Sequence, residues 1–315
     1  MADDDDVTAT PGRGRAARSV LVLLVALAVG AAAYAAVRAL DRPRAARARL
    51  SQASAMLSEA EPDVLAIDNA VRSEVTSALA DSAKAALGKI DPATQALTRA
   101  LEEVEATRPD LSKDDVELAD ALEDAIRQRL AMLDHARPIL ETDRRAARAV
   151  GPAAEAWRLV SEAETLSDSA VASYNKHTKA SVSQSTSLTA QAEAKLASAK
   201  SALATVTAEF PEADMAPFVS YVDAKLKLLA RSKKIDATWL AGKIEDANKL
   251  LDAYNAEEKK VVAMAKALPG SPTEVLSKAY EKLTAADIAA YFDAREAARS
   301  ADARIKALSE SEPKK

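Results

Sequence analysis

Cysteine is absent from this 315-residue chain, which excludes disulfides, thiolate metal sites, a catalytic thiol and a lipid-modified cysteine. Histidine occurs only at His135 and His177, too few and too far apart for the common zinc arrangements. Glycine numbers 7 and aromatics make up 3%, and there is neither a glycine-rich phosphate loop nor a Gly-x-Ser-x-Gly elbow. The neighbouring carboxylates Glu102-Glu103, Asp114-Asp115 and Glu257-Glu258 would point roughly 100° apart on a helix, whereas general acid–base work needs carboxyl groups converging across a cleft. The acidic run at residues 3–6 lacks the spaced ligands and the glycine of a calcium loop. The expectation is a protein without catalytic activity, cofactor or metal.

About a quarter of the residues are alanine. Alanine loses no side-chain entropy in a helix, and glycine, which loses the most backbone entropy, is scarce. No β-branched run alternates between hairpin turns. The fold class is therefore all-α. Alanine also buries little apolar area, so the helices must pack closely over much of their length to gain stability. An N-terminal single transmembrane helix followed by an elongated multi-helix bundle with coiled-coil-like stretches fits this composition.

The segment 19–37, SVLVLLVALAVGAAAYAAV, is uncharged. As a helix at ~1.5 Å per residue it reaches roughly 28 Å, close to the ~30 Å hydrocarbon core of a bilayer. A cleavable signal is the competing reading, with Arg13, Arg15 and Arg18 ahead of the apolar run and small residues after Gly30. The run is long for such a signal, and an uncleaved anchor is expected. Arg38, Arg42, Arg44, Arg47 and Arg49 follow it. Counting positive charges leans toward a cytoplasmic body, while the order of basic, leucine-rich and alanine-rich stretches leans toward export. An extracytoplasmic body is expected, the cytoplasmic side being the alternative. The same five arginines are the candidates for lipid-headgroup contact.

Beyond residue 49 the chain carries 35 basic and 43 acidic residues, a net −8. That balance argues against nucleic acid as a partner, since binding it needs a basic face. Prolines and capping residues suggest a disordered tail over 1–18, a crossing over 19–37, a basic juxtamembrane helix over 38–60, helical hairpins over 61–150, a long-helix bundle over 151–309 and a frayed tail over 310–315. Pro43, Pro62, Gly88, Pro92, Pro138 and Gly151-Pro152 are expected to interrupt or start helices. Pro109 should end one, with Ser112 capping the next. The polar run 181–187 is the weak point of a long helix reaching toward Phe210. Pro269-Gly270 stops a helix and Ser271-Pro272 starts another, while Thr284 with Asp287 reads as a variant capping box. The clearest coiled-coil spacing runs through Leu240, Ile244, Ala247, Leu251, Tyr254, Glu258, Val261, Ala265 and Leu268, with Glu258 as the interruption.

Trp157, Tyr174, Trp239 and Tyr254 are the candidate partner or inter-helix anchors. Trp157 with Tyr174-Asn175 resembles Trp239 with Tyr254-Asn255, an echo that a duplicated helical unit or shared helix constraints would each produce. The primary functional expectation is a membrane-anchored helical structural or protein-interaction module, whose partners are membrane lipid and another protein or a second copy. The alternative is an extracytoplasmic ligand-sensing or solute-binding helical domain with a pocket built from the tryptophans and the Tyr-Asn pairs.

Overall fold

The computed structural model describes residues 13–311, with side chains from residue 42 onward except Asp114 and Ser311. Among the described residues there are seven α-helices and no strand: α1 (Arg13–Val71), α2 (Leu79–Thr107), α3 (Lys113–Tyr174), α4 (Lys179–Glu209), α5 (Ala216–Leu240), α6 (Ile244–Lys266) and α7 (Pro272–Ser311). The chain is an all-α helical bundle. The segment 19–37 forms part of the α1 backbone, its side chains lying outside those described. Among the described residues no helix is long and apolar enough to cross a membrane. Of the expected terminal tails, residues 1–12 and 312–315 lie outside the described residues, and α7 continues to Ser311.

The helices are longer than the proline positions suggest. Pro43 and Pro62 lie inside α1, Pro92 inside α2, and Pro138 and Pro152 inside α3. A mid-helix proline costs roughly 3 kcal/mol through one lost hydrogen bond and a clash with the preceding turn. None of these rings is buried, so each lies on a face that water can reach. Buried residues flank the last four, such as Ile90 and Ala93 around Pro92, or Ala149 and Ala153 around Pro152. Packing on both sides holds α1 through Pro62, α2 through Pro92 and α3 through Pro138 and Pro152. Gly88 and Gly151 likewise stay helical, and Thr284, rather than capping a new helix, donates to the Tyr280 carbonyl within α7.

Where the chain does turn, local chemistry explains it. Pro109 sits in a short 3-10 turn (Arg108–Asp110), and Ser112 Oγ then accepts from the Asp115 N–H at 3.3 Å. The break before α4 falls at residues 175–178, ahead of the polar run, with His177 in the left-handed region at φ 50°. Thr178 and Ser181 cap each other reciprocally, so the serine run begins a helix instead of breaking one. At the start of α7, Ser271 Oγ accepts from the Glu274 N–H while Glu274 Oε2 accepts from the Ser271 N–H, at 3.2 and 3.3 Å. Gly270, at φ 107°, makes this box possible, because a Cβ there would stand 1.9 Å from a Glu274 carboxylate oxygen.

The coiled-coil spacing is strongest away from α6. Buried residues in α1 run Ala46, Leu50, Ala53, Leu57, Ala60, Val64, Ile67; those in α4 run Val182, Ser185, Thr189, Ala192, Leu196, Ala199, Leu203, Val206. Both alternate by fours and threes, the seam of heptad packing. In α6 only Ala247, Tyr254 and Val261 are buried, one residue per heptad, and Ile244 is 44% exposed. Glu258 and the partly covered aliphatics around it leave that seam open.

Two compact units divide the chain. The first gathers residues up to Glu59, Ala96–Arg127 and Ala298–Lys315. Its surface is laced by Arg108 to Asp120 and Glu123, at 2.7 and 2.5 Å, and by Arg127 to Glu105 and Glu123, at 2.7 and 2.9 Å. The second comprises Ala60–Gln95 and Gln128–Ala297. Its main core joins the second half of α3 to α4, α5, α6 and the start of α7 through residues such as Val160, Leu196, Phe210, Phe218 and Leu276.

Candidate functional site

Within the second unit, α3, α5 and α6 leave a groove of about 400 Å³ between them. Each helix presents one face to it, as the 3.6-residue period requires. Glu164, Ser167, Asp168 and Val171 come from α3; Tyr221, Lys225, Leu228 and Leu229 from α5; Tyr254, Glu258, Val261, Val262, Ala265 and Lys266 from α6. The floor is aliphatic, and Val171 and Val262 remain 44% and 47% exposed. Volumes of roughly 300–1,000 Å³ with an apolar lining and a few convergent polar groups are typical of binding sites.

The polar groups divide into two sets. On one side Tyr221 Oη donates to Glu164 Oε1 at 2.5 Å, and Lys225 Nζ stands 3.4 Å from the same carboxylate and 5.7 Å over the Tyr221 ring. Burial and this carboxylate raise the Tyr221 hydroxyl pKa well above its ordinary value. That set is internally satisfied. On the other side Tyr254 is 9% exposed, and no hydrogen bond reaches its hydroxyl from the described residues. Burial, then the charges of Glu258 and Asp168, push that hydroxyl up to about 12. The ring is buried, but the hydroxyl is not sealed from solvent: it opens onto the groove, beside an exposed Asp168 and a half-buried Glu258. Lys266, the remaining cation of the lining, stands two helical turns from Glu258, roughly 12 Å along the α6 axis.

The other aromatic candidates lie elsewhere. Tyr174 ends α3, His177 meets its ring edge-on at 5.5 Å, and Trp239 stacks on His177 at 6.4 Å. Burial and the charge of Asp236 raise the Tyr174 pKa. Asp236 itself is 1% exposed and accepts from Thr186 Oγ1 at 3.1 Å, and burial raises its pKa. This cluster closes the α3–α4 turn against the end of α5. Trp157 is 39% exposed and meets Phe218 edge-on at 6.2 Å. The four aromatics therefore do not form a common pocket. Nor does the sequence echo repeat a structural unit: Trp157 and Tyr174 share α3, whereas Trp239 and Tyr254 stand on different helices separated by the Gly242 turn.

Of the basic collar, Arg47 Nε lies 3.7 Å from Asp115, a contact inside the first unit. Arg42, Arg44 and Arg49 are exposed, and the Arg38 side chain lies outside those described.

Tyr254 was legible as a candidate, while Asp168, Tyr221 and Lys225 carried no separate signal. Glu258 did carry one, because a carboxylate in an apolar heptad marks a seam that is not closed by another helix. Comparison with family models, with curated proteins and with solved structures finds no match to this chain.

Proposed function

We propose that the chain is a membrane-anchored helical interaction module without catalytic activity, which recognises a partner protein in the α3–α5–α6 groove. The observation that carries this reading is the groove itself. It combines half-exposed aliphatics at its mouth with a tyrosine hydroxyl and two carboxylates, Asp168 and Glu258, for which no hydrogen bond or ion pair is found among the described residues. An apolar base with a charged rim is the pattern of a groove that receives side chains from another helix. The uncharged segment 19–37 supplies the anchor, and Arg38, Arg42, Arg44 and Arg49 meet anionic headgroups at its edge, each worth roughly 1 kcal/mol. The groove volume also accommodates a small ligand, which is the basis of the extracytoplasmic ligand-sensing alternative.

Two measurements test the reading. The full-length protein should stay in the membrane pellet through alkaline carbonate extraction; release into the supernatant would remove the anchor. Affinity isolation from native membranes should recover a defined protein with the unaltered chain and lose it with Val262→Arg, which fills the groove mouth. Equal recovery with both would place the interaction elsewhere. A thermal shift with small polar solutes, abolished by the same substitution and unaccompanied by a protein partner, would favour the ligand-sensing alternative.

A further inference from the structure

The unpaired side of the groove has the chemistry of a lysine receptor, an inference that rests on the protein-interaction reading above. Asp168 of α3 and Glu258 of α6 line the groove together with Tyr254, and their charges act on its hydroxyl. Together they offer three acceptors to a cation, and an ammonium group carries three rotatable donors. A guanidinium, whose donors form a rigid planar fork, matches a single bidentate carboxylate better than three separate acceptors. Directly beside these groups lie Val171, Val261 and Val262, an aliphatic strip suited to the methylene stem of a lysine.

The same constellation is closed elsewhere in the molecule. Asp68 accepts from Tyr291 Oη at 2.9 Å, and Arg295 Nε completes the set at 2.6 Å. Tyrosine, carboxylate and cation are all present there. On the Tyr254 side of the groove the tyrosine and carboxylates are present, and the two lysines of the lining lie away from them, Lys225 against Glu164 and Lys266 two turns along α6 from Glu258. The openness of the site indicates what supplies a cation there. Val171 and Val262 are nearly half exposed, so the site is open on one side, as suits a side chain carried by a body that remains outside. The net charge of −8 beyond residue 49 favours a basic body.

We propose that the groove binds a lysine side chain presented by a basic helical segment of a partner protein, with the stem on Val171, Val261 and Val262 and the ammonium held by Asp168, Glu258 and Tyr254.

The test uses the full-length chain in a nonionic detergent and two blocked helical peptides of roughly 18 residues, long enough to hold helix in water. One is built from Ala, Gln and Lys, and the other has Glu at every Lys position. The lysine peptide should bind at least about tenfold more tightly than the glutamate peptide. Asp168→Asn with Glu258→Gln should remove that preference while circular dichroism and melting stay unchanged. Val262→Lys, which places a cation of the chain's own at the groove, should also block the peptide. Equal affinity for both peptides, or undiminished lysine-peptide binding to the double variant, overturns the proposal. Hexylammonium binding more tightly than the lysine peptide would assign the site to a free amine and overturn it as well. Groove-dependent recovery of a partner without any lysine preference would remove this inference alone, leaving the interaction reading in place.

Discussion

Asp68 and Tyr254 mark two regions of one helical unit that use the same residue types to opposite ends. At Asp68 the carboxylate is 5% exposed, Tyr291 is fully buried, and Arg295 and Arg72 supply positive charge. Burial raises the pKa of this carboxylate. Hydrogen bonds from Arg295 and Tyr291, with the charges of Arg295 and Arg72, more than reverse that, and it lies below its ordinary value. At the groove, Tyr254 is almost as deeply buried, yet its carboxylate neighbours bring no cation with them. Asp143 stands between the two. It is 1% exposed and receives one hydrogen bond, from Tyr280 Oη at 2.7 Å. Without a cation, burial prevails and its pKa is raised to about 6. A tyrosine alone does not stabilise a buried carboxylate charge; an arginine does.

The largest effect should follow from removing that arginine. Arg295→Ala leaves Asp68 buried and charged with Tyr291 as its remaining donor and Arg72 at 3.5 Å as a residual opposite charge, so the loss should be about 3 kcal/mol, the lower end of what breaking a buried pair costs. Urea denaturation of the full-length protein checks it, and a loss below ~1 kcal/mol would reduce Arg295 to a surface residue.

Asp143→Asn should act in the opposite direction. A folded pKa of about 6 against an ordinary 3.8 means that the native state holds the proton more tightly. Stability from this group is therefore full below about pH 4, is lost as pH rises through about 6, and stays lost above. Two units correspond to roughly 3 kcal/mol. At pH 7.5 the asparagine variant should be more stable by up to that amount, because its amide oxygen still accepts from Tyr280. The unaltered protein should lose stability between pH 4 and 6 at this position, and the variant should not. An identical pH profile for both would show that Asp143 is charged without penalty.

The smallest effects sharpen the contrast most. Tyr291→Phe withdraws a hydrogen bond from a buried carboxylate and should cost about 1–3 kcal/mol. Tyr254→Phe removes a hydroxyl with no hydrogen-bonding partner in the fold and should change stability by less than about 0.5 kcal/mol. Equal losses in chemical denaturation would mean that both hydroxyls are structural.

Much of the fold was legible in composition. Abundant alanine, scarce glycine and the lack of alternating strands lead directly to helices, and Pro109, Pro269-Gly270 and Ser271 mark true boundaries because the local chemistry there meets no opposition from packing. Pro92, Pro138 and Pro152 misled for the converse reason, since long-range packing of α2 and α3 outweighs a local penalty of a few kcal/mol. The true seams were hard to see because alanine serves as a core residue. Ala46, Ala53 and Ala60 alternate with leucines along α1, and a search for large apolar side chains sees only half of that stripe. The groove was the least legible feature. Its residues come from three helices separated by up to a hundred positions, and only Tyr254 and the intrusive Glu258 stood out in their own segment.

The most direct test of the groove as a recognition surface is site-specific photo-crosslinking in intact cells. A photoreactive amino acid at position 262, in the groove, is compared with the same residue at position 253, exposed on α6 outside it. The account predicts a discrete protein adduct from position 262, none from position 253, and loss of the adduct when Asp168 and Glu258 are neutralised. Adducts of equal yield from both positions, or none from 262, would contradict it.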